Sequence, residues 1–185
     1  LFPLLALAET AVLKTGKELK VEEETTTPAK ESCFFRSNGF RDLQWGDPVS
    51  AAGGLQLIDS AMDLEGVTEY ERPGDILFIG STPITSIIYA FWQDQLYTVT
   101  IWMQGYSDFT ALREMVFKQF SRGRLSDQSG ERYLWSQTPT DMMLEYIRAS
   151  EKGLLWLRSC ELDRKYKLSK INSHTSVLKW MNSRN

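Results

Sequence analysis

One histidine limits the chemistry open to this chain. His174 sits among Asn172, Ser173 and Thr175 in a polar C-terminal stretch. A Ser-His-Asp or Cys-His arrangement needs a base held within hydrogen-bond reach of its nucleophile. Nothing in that stretch points to rigid support, so His174 reads as a surface residue. Zinc wants three or four close-spaced Cys, His or carboxylate ligands, and two distant cysteines with a tail histidine do not supply them. The run Glu22-Glu23-Glu24 lacks the alternating oxygens and central glycine of a calcium loop. No Gly-x-Gly-x-x-Gly or Walker-type run is present to cradle phosphate. The sequence therefore assigns no catalytic, metal or cofactor-binding residue, and no cofactor is expected.

Carboxylates are the remaining reactive groups. A glycosidase needs two of them across a sugar-sized cleft, and Asp42, Asp47, Asp75, Asp94, Asp141 and Glu145 are the candidates. Asp47 suits a helix cap and Asp75 and Asp94 suit turns, while Asp42, Asp141 and Glu145 suit polar strand faces. No spacing singles out a pair. The two cysteines, Cys33 and Cys160, either pair in an oxidising compartment or stand as separate thiols. A bridge would close a loop of more than a hundred residues, worth about 4–5 kcal/mol by chain entropy.

Two features suit binding better than catalysis. Trp45, Trp92, Trp102, Trp135 and Trp156, with Tyr89, Tyr97, Tyr133 and Tyr146, fall in stretches that read as strands, and most should be core. Trp92 and Trp102 lie on the hairpin face opposite the stronger hydrophobic set, so they mark a possible sheet-face binding surface. The other feature is basic: residues 161–185 hold six Lys or Arg against two acids. Arg164, Lys165, Lys167 and Lys170 could meet an anionic partner such as a membrane surface, or simply form a solvated helix face.

These residues must be positioned by β-structure. Phe40-Arg41-Asp42-Leu43-Gln44-Trp45 alternates as a strand does. Asp47-Pro48 opens a short helix that Gly53-Gly54 closes. Strands are expected near 55–64, 67–72, 76–79, 85–93 and 96–103, with Asp94-Gln95 turning the last two into a hairpin. On the second of these, alternation puts Tyr97, Val99, Ile101 and Met103 on one face and Thr98, Thr100 and Trp102 on the other. The period then changes. Phe109, Leu112, Val116 and Phe120 recur at helical spacing after Ser107 as N-cap, and Arg122-Gly123 closes that helix. Further strands are expected at 132–137, 140–148 and 154–160, and short helices at 162–168 and 177–181.

Short connections and the absence of alternating βαβ units indicate an α+β domain. The architecture expected is an antiparallel β-sheet meander with one main amphipathic helix packed on one face. Composition agrees: 185 residues, 42% hydrophobic and 24% charged, with a net charge of −3, describe one ordinary globular core. Near-neutral charge gives no reason to expect a nucleic-acid partner. Residues 1–8, an apolar run ending in Ala6-Leu7-Ala8, resemble the tail of a secretory signal or a plain hydrophobic end. Residues 9–33 read as a linker or tail, 34–168 as the single domain and 169–185 as a polar C-terminal tail.

Two stretches resemble known families. Arg72-Pro73-Gly74-Asp75-Ile76-Leu77-Phe78 resembles a strand opening in papain-like cell-wall peptidases, but no histidine follows it before the tail and Cys33 lacks their sequence context. Pro-Gly-Asp is then an ordinary turn. Phe40-Arg41-Asp42-Leu43-Gln44-Trp45-Gly46, followed by Tyr70-Glu71-Arg72 and Asp75-Ile76-Leu77-Phe78-Ile79-Gly80, resembles uncharacterised exported bacterial proteins with a Phe-Arg-x-x-x-Trp-Gly opening. That likeness spans about residues 39–160, with Asp42 where a glycine is commoner. It implies export to the periplasm or cell envelope and a small α+β domain, and it brings no activity. The function expected is a non-catalytic domain binding a protein or small ligand through a sheet face. The alternatives are a carboxylate-using envelope hydrolase and a structural subunit of an oligomeric assembly.

Overall fold

A computed structural model of the chain describes residues 35–58, 66–126 and 131–182, with side chains to residue 172 in the last stretch. The chain divides into two units, residues 1–31 and 32–185, and everything described belongs to the second. The signal-like run, the linker and Cys33 lie outside the described residues, as do residues 59–64 of the strand expected at 55–64.

The described residues open with three two-residue strands, β1 (Phe35–Arg36), β2 (Gly39–Phe40) and β3 (Leu43–Gln44), which form a small sheet in that order. The single strand expected over 40–45 is thus a tight hairpin. Arg41 takes a φ of 54°, the chain reverses, and Phe40 pairs opposite Leu43. Reversal lets both face the core, where they are 0% and 2% exposed, although strict alternation would separate them. The helix expected at Asp47-Pro48 is one 3-10 turn, Val49–Ala51. Asp47 does not cap it: its Oδ2 accepts from the Gln44 N–H, and the Val49 N–H donates to Asp94, 45 residues on.

Among the described residues the main sheet has eight strands, all antiparallel. β4 (Gln56–Leu57) and β5 (Val67–Glu71) come first in sequence, and β6 (Phe78–Ile79) and β7 (Thr82–Pro83) then form a separate ribbon. β8 (Ser86–Trp92), β9 (Gln95–Gln104), helix α1 (Tyr106–Phe120), β10 (Arg124–Leu125), β11 (Arg132–Gln137), β12 (Thr140–Ile147), β13 (Lys152–Ser159) and helix α2 (Cys160–Asn182) follow. Spatial order across the sheet is β10-β11-β12-β13-β9-β8-β5-β4. The α+β architecture read from the sequence is the one observed.

α1 lies on one face. Phe109, Leu112 and Val116, all 0% exposed, pack in one cluster with Met103, Leu144 and Leu155 from three adjacent strands. Each such side chain contributes about 1.5–3 kcal/mol on burial. The close approach needs Gly153, where an added Cβ would stand 2.8 Å from Met103 Cγ and 3.1 Å from Phe109 Cδ2. The helix boundaries differ from expectation: Gly105, not Ser107, is the N-cap, and Ser121 at φ 63° ends the helix. Gly123 is no cap either. It makes room for Trp135, whose ring would lie 2.6 Å from a Cβ there.

The β8–β9 turn is Gln93-Asp94, both at positive φ (52° and 60°), rather than Asp94-Gln95. This is the left-handed pair that a two-residue hairpin demands, met here without glycine. Register shifts at Ala90/Phe91: Ala90 pairs with Thr98 but Phe91 with Leu96, which leaves Tyr97 as the extra residue of a β-bulge. Tyr97 therefore leaves the Val99 face, where alternation had put it. The two short helices expected at 162–168 and 177–181 are one continuous helix, α2.

Candidate functional site

The sheet face opposite α1 is the candidate surface. Cross-strand register sets its side chains in rows. One row runs Leu134–Met143–Trp156–Thr100–Ile88, and the next runs Arg132–Glu145–Leu154–Trp102–Ser86. All five members of the first row are half-buried, as is Trp102. One row of half-buried side chains, apolar except for Thr100, thus crosses five strands, and Trp102 widens this band in the row beside it. Most sheet-face residues of this size are sealed, as on the α1 side, where Ile87, Val99, Ile101, Leu144 and Leu155 are at most 3% exposed.

Ion pairs border the band. Arg132 pairs with Glu145 in the second row. On the other side Arg158 holds Asp141 at 2.9 Å and Asp163 at 2.9 Å, and its guanidinium stacks 4.7 Å from the Trp156 ring centre. Each charge has an opposite partner, so the border is close to neutral.

Of the two tryptophans singled out by sequence, only Trp102 lies on the open band. Trp92 is 6% exposed and sits under α2, with Tyr97 and Leu162 buried beside it. Tyr166 meets its ring edge-on at 5.7 Å. The expectation of an exposed Trp92 is therefore corrected: one long helix covers it, where the sequence pattern suggests two short ones in a polar tail. Trp156, Met143 and Leu134 were missed as surface members. Their alternation was visible, but which face stayed open depends on α1 and α2, and periodicity does not report that.

The first turn of α2 is fixed by Asp163, which accepts from Tyr97 Oη at 2.9 Å and from Arg158, and pairs with Lys167 at 2.7 Å. Burial first, and the Asp163 bond second, push the Tyr97 phenol well above its usual value. Tyr89, fully buried and donating to Asp75 Oδ2 at 2.5 Å, is raised for the same reasons. An acid whose folded pKa is raised loses its stabilising contribution as pH climbs past its unfolded value of about 10. Stability should thus fall above pH 10, and Tyr97→Phe should flatten part of that decline in alkaline thermal melts. An unchanged slope in the variant would count against the phenol's role.

The other candidates have structural partners. Each of the six carboxylates is tied down: Asp42 to Arg72, Asp75 to Arg41 and Tyr89, Asp47 to Gln44, Asp94 to Val49, Asp141 to Arg158 and Glu145 to Arg132. Asp42 lies in the 40–43 hairpin turn rather than on a strand face, and Asp75 is a half-buried anchor rather than an ordinary turn residue. Among the basic residues of α2, Lys165 pairs with Glu161 at 2.7 Å and Lys170 sits 5.4 Å over the Tyr166 ring, while Arg164 is exposed. Cys160 is half-buried with Sγ 3.8 Å from the Gln137 carbonyl, and burial pushes its thiol up. Its possible partner Cys33, and the side chain of His174, lie outside the described residues.

A cleft of about 360 Å³ opens where β5 diverges from β8, between Gln56, Glu71, Arg72 and Ser86. Among the described residues, Arg72 Nε and Nη2 are buried without a hydrogen-bond partner, and the guanidinium lies 5.3 Å from the Tyr89 ring centre, which takes up its face. Among the described residues no three His, Cys, Asp or Glu gather as metal ligands, and no helix is long and apolar enough to cross a membrane. Comparison with family models, with curated proteins and with solved structures found no match.

Proposed function

We propose that this chain is an exported, non-catalytic domain that binds a protein or small ligand through the open sheet face around Trp102 and Trp156. One observation carries the reading: a band of half-buried, mostly apolar side chains, ordered by strand register, on the part of the face opposite α1 that α2 does not cover. Rigid aromatic side chains on a sheet lose little entropy on binding, so such a band is an economical contact surface. Export is supported by the signal-like opening run and by the likeness of the 40–46 and 70–80 stretches to exported proteins.

The test uses short random peptides displayed as a library and selected on the intact domain. Binders that shift the indole signals of Trp102 and Trp156 and the Met143 methyl in an NMR titration support the reading. Binders that shift only residues of the Glu71–Ser86 cleft contradict it. The solution mass of the free domain decides the assembly alternative. A stable dimer that buries Trp102 would replace a binding module by a structural subunit.

A further inference from the structure

α2 presents a second surface, independent of the sheet face. Its inner side is fixed by Leu162, Asp163 and Tyr166, which pack on Trp92 and Tyr97. At about 100° of turn per residue, Arg164, Leu168 and Ile171 fall roughly opposite that docked side. Leu168 is 54% exposed and Ile171 61% exposed. Lys165 and Lys167 flank this stripe on either side, with side chains 50% and 64% exposed. Both lysines are ion-paired one turn back, with Glu161 and Asp163, yet the segment as a whole is basic. Residues 161–185 carry +4 in a chain whose total is −3, so the preceding 160 residues carry −7.

A stripe that holds apolar and cationic groups together selects its partner. A soluble polyanion would engage the cations and leave Leu168 and Ile171 in water. A second copy would set two +4 segments against each other. An anionic bilayer accepts both: the apolar side chains enter below the head groups while the lysine and arginine stems reach back to the phosphates. We propose that the outward stripe of α2 seats the domain on an anionic lipid surface, with the helix axis in the plane of the interface.

The experiment is sedimentation of the full chain with vesicles of phosphatidylglycerol and phosphatidylcholine, against vesicles of phosphatidylcholine alone. Binding to the anionic vesicles is expected to be at least roughly tenfold stronger and to weaken with added salt. R164Q should lower it about fivefold, the worth of one surface charge. L168E/I171E should abolish it while thermal unfolding stays unchanged, because both side chains are exposed. If that double variant does not fold, the R164Q and salt responses decide. No binding to anionic vesicles, equal binding to neutral ones, or binding that L168E/I171E leaves intact would overturn the proposal. So would a dimer in solution that L168E/I171E converts to monomer.

Discussion

Replacing Asp75 by alanine should destabilise the domain by about 3–5 kcal/mol, the usual cost of removing one partner from a buried charge pair. Asp75 is 9% exposed in its side chain and Arg41 12%. Arg41 also donates to the carbonyls of Ile76 and Phe78, and the second Asp75 oxygen accepts a hydrogen bond from the Tyr89 hydroxyl. One carboxylate thus ties the 40–43 hairpin to the 72–78 turn and both to β8. Without it the Arg41 charge and the Tyr89 hydroxyl lose a main partner inside the protein. The midpoint of thermal unfolding should fall by roughly 10–15 °C for a domain of this size. Tyr89→Phe added to Asp75→Ala should cost less than the two changes made separately, because the phenol has already lost its acceptor. Simple additivity in the calorimeter would show that the two groups are not coupled.

The second large effect concerns binding. Charge placed on the band, as Trp102→Glu with Met143→Glu, should weaken the selected peptide binders at least roughly tenfold, the scale of losing one central aromatic contact. Stability should change far less, by about 1 kcal/mol, since both side chains are already partly in water. The matched control is Trp92→Phe, which alters the aromatic set under α2 and should leave peptide affinity as it was. A titration in which Trp92→Phe weakens binding and the double variant does not would move the site to the end of this face beneath α2.

Much of this fold is legible in the sequence, for identifiable reasons. α1 declares itself because Phe109, Leu112 and Val116 repeat at the helical period and all face one core. The β11–β12–β13 meander is legible because its strands alternate cleanly and its turns carry Thr138-Pro139 and Ser150-Glu151. What escaped depends on contacts between distant residues. Asp75 is anchored by a side chain 34 residues earlier and another 14 later. Asp94 caps a turn 45 residues before it. Tyr97 changes face through a bulge whose existence is settled by pairing with β8. α2 was read in pieces because its apolar residues divide between opposite sides, Leu162 and Tyr166 inward and Leu168 and Ile171 outward, so no single stripe marks its length. The surface follows the same rule: Trp102 was placed by alternation, while Trp92 was misplaced because its cover begins 68 residues further along.

Hydroxyl-radical footprinting of the intact chain measures directly whether one face of the sheet is open. Trp102, Trp156 and Met143 should be oxidised several times faster than Trp92 and Met103, which lie under α2 and α1. Equal protection of Trp102, Trp156 and Trp92 would mean that the supposed open face is already covered, and a binding role for it would have to be abandoned.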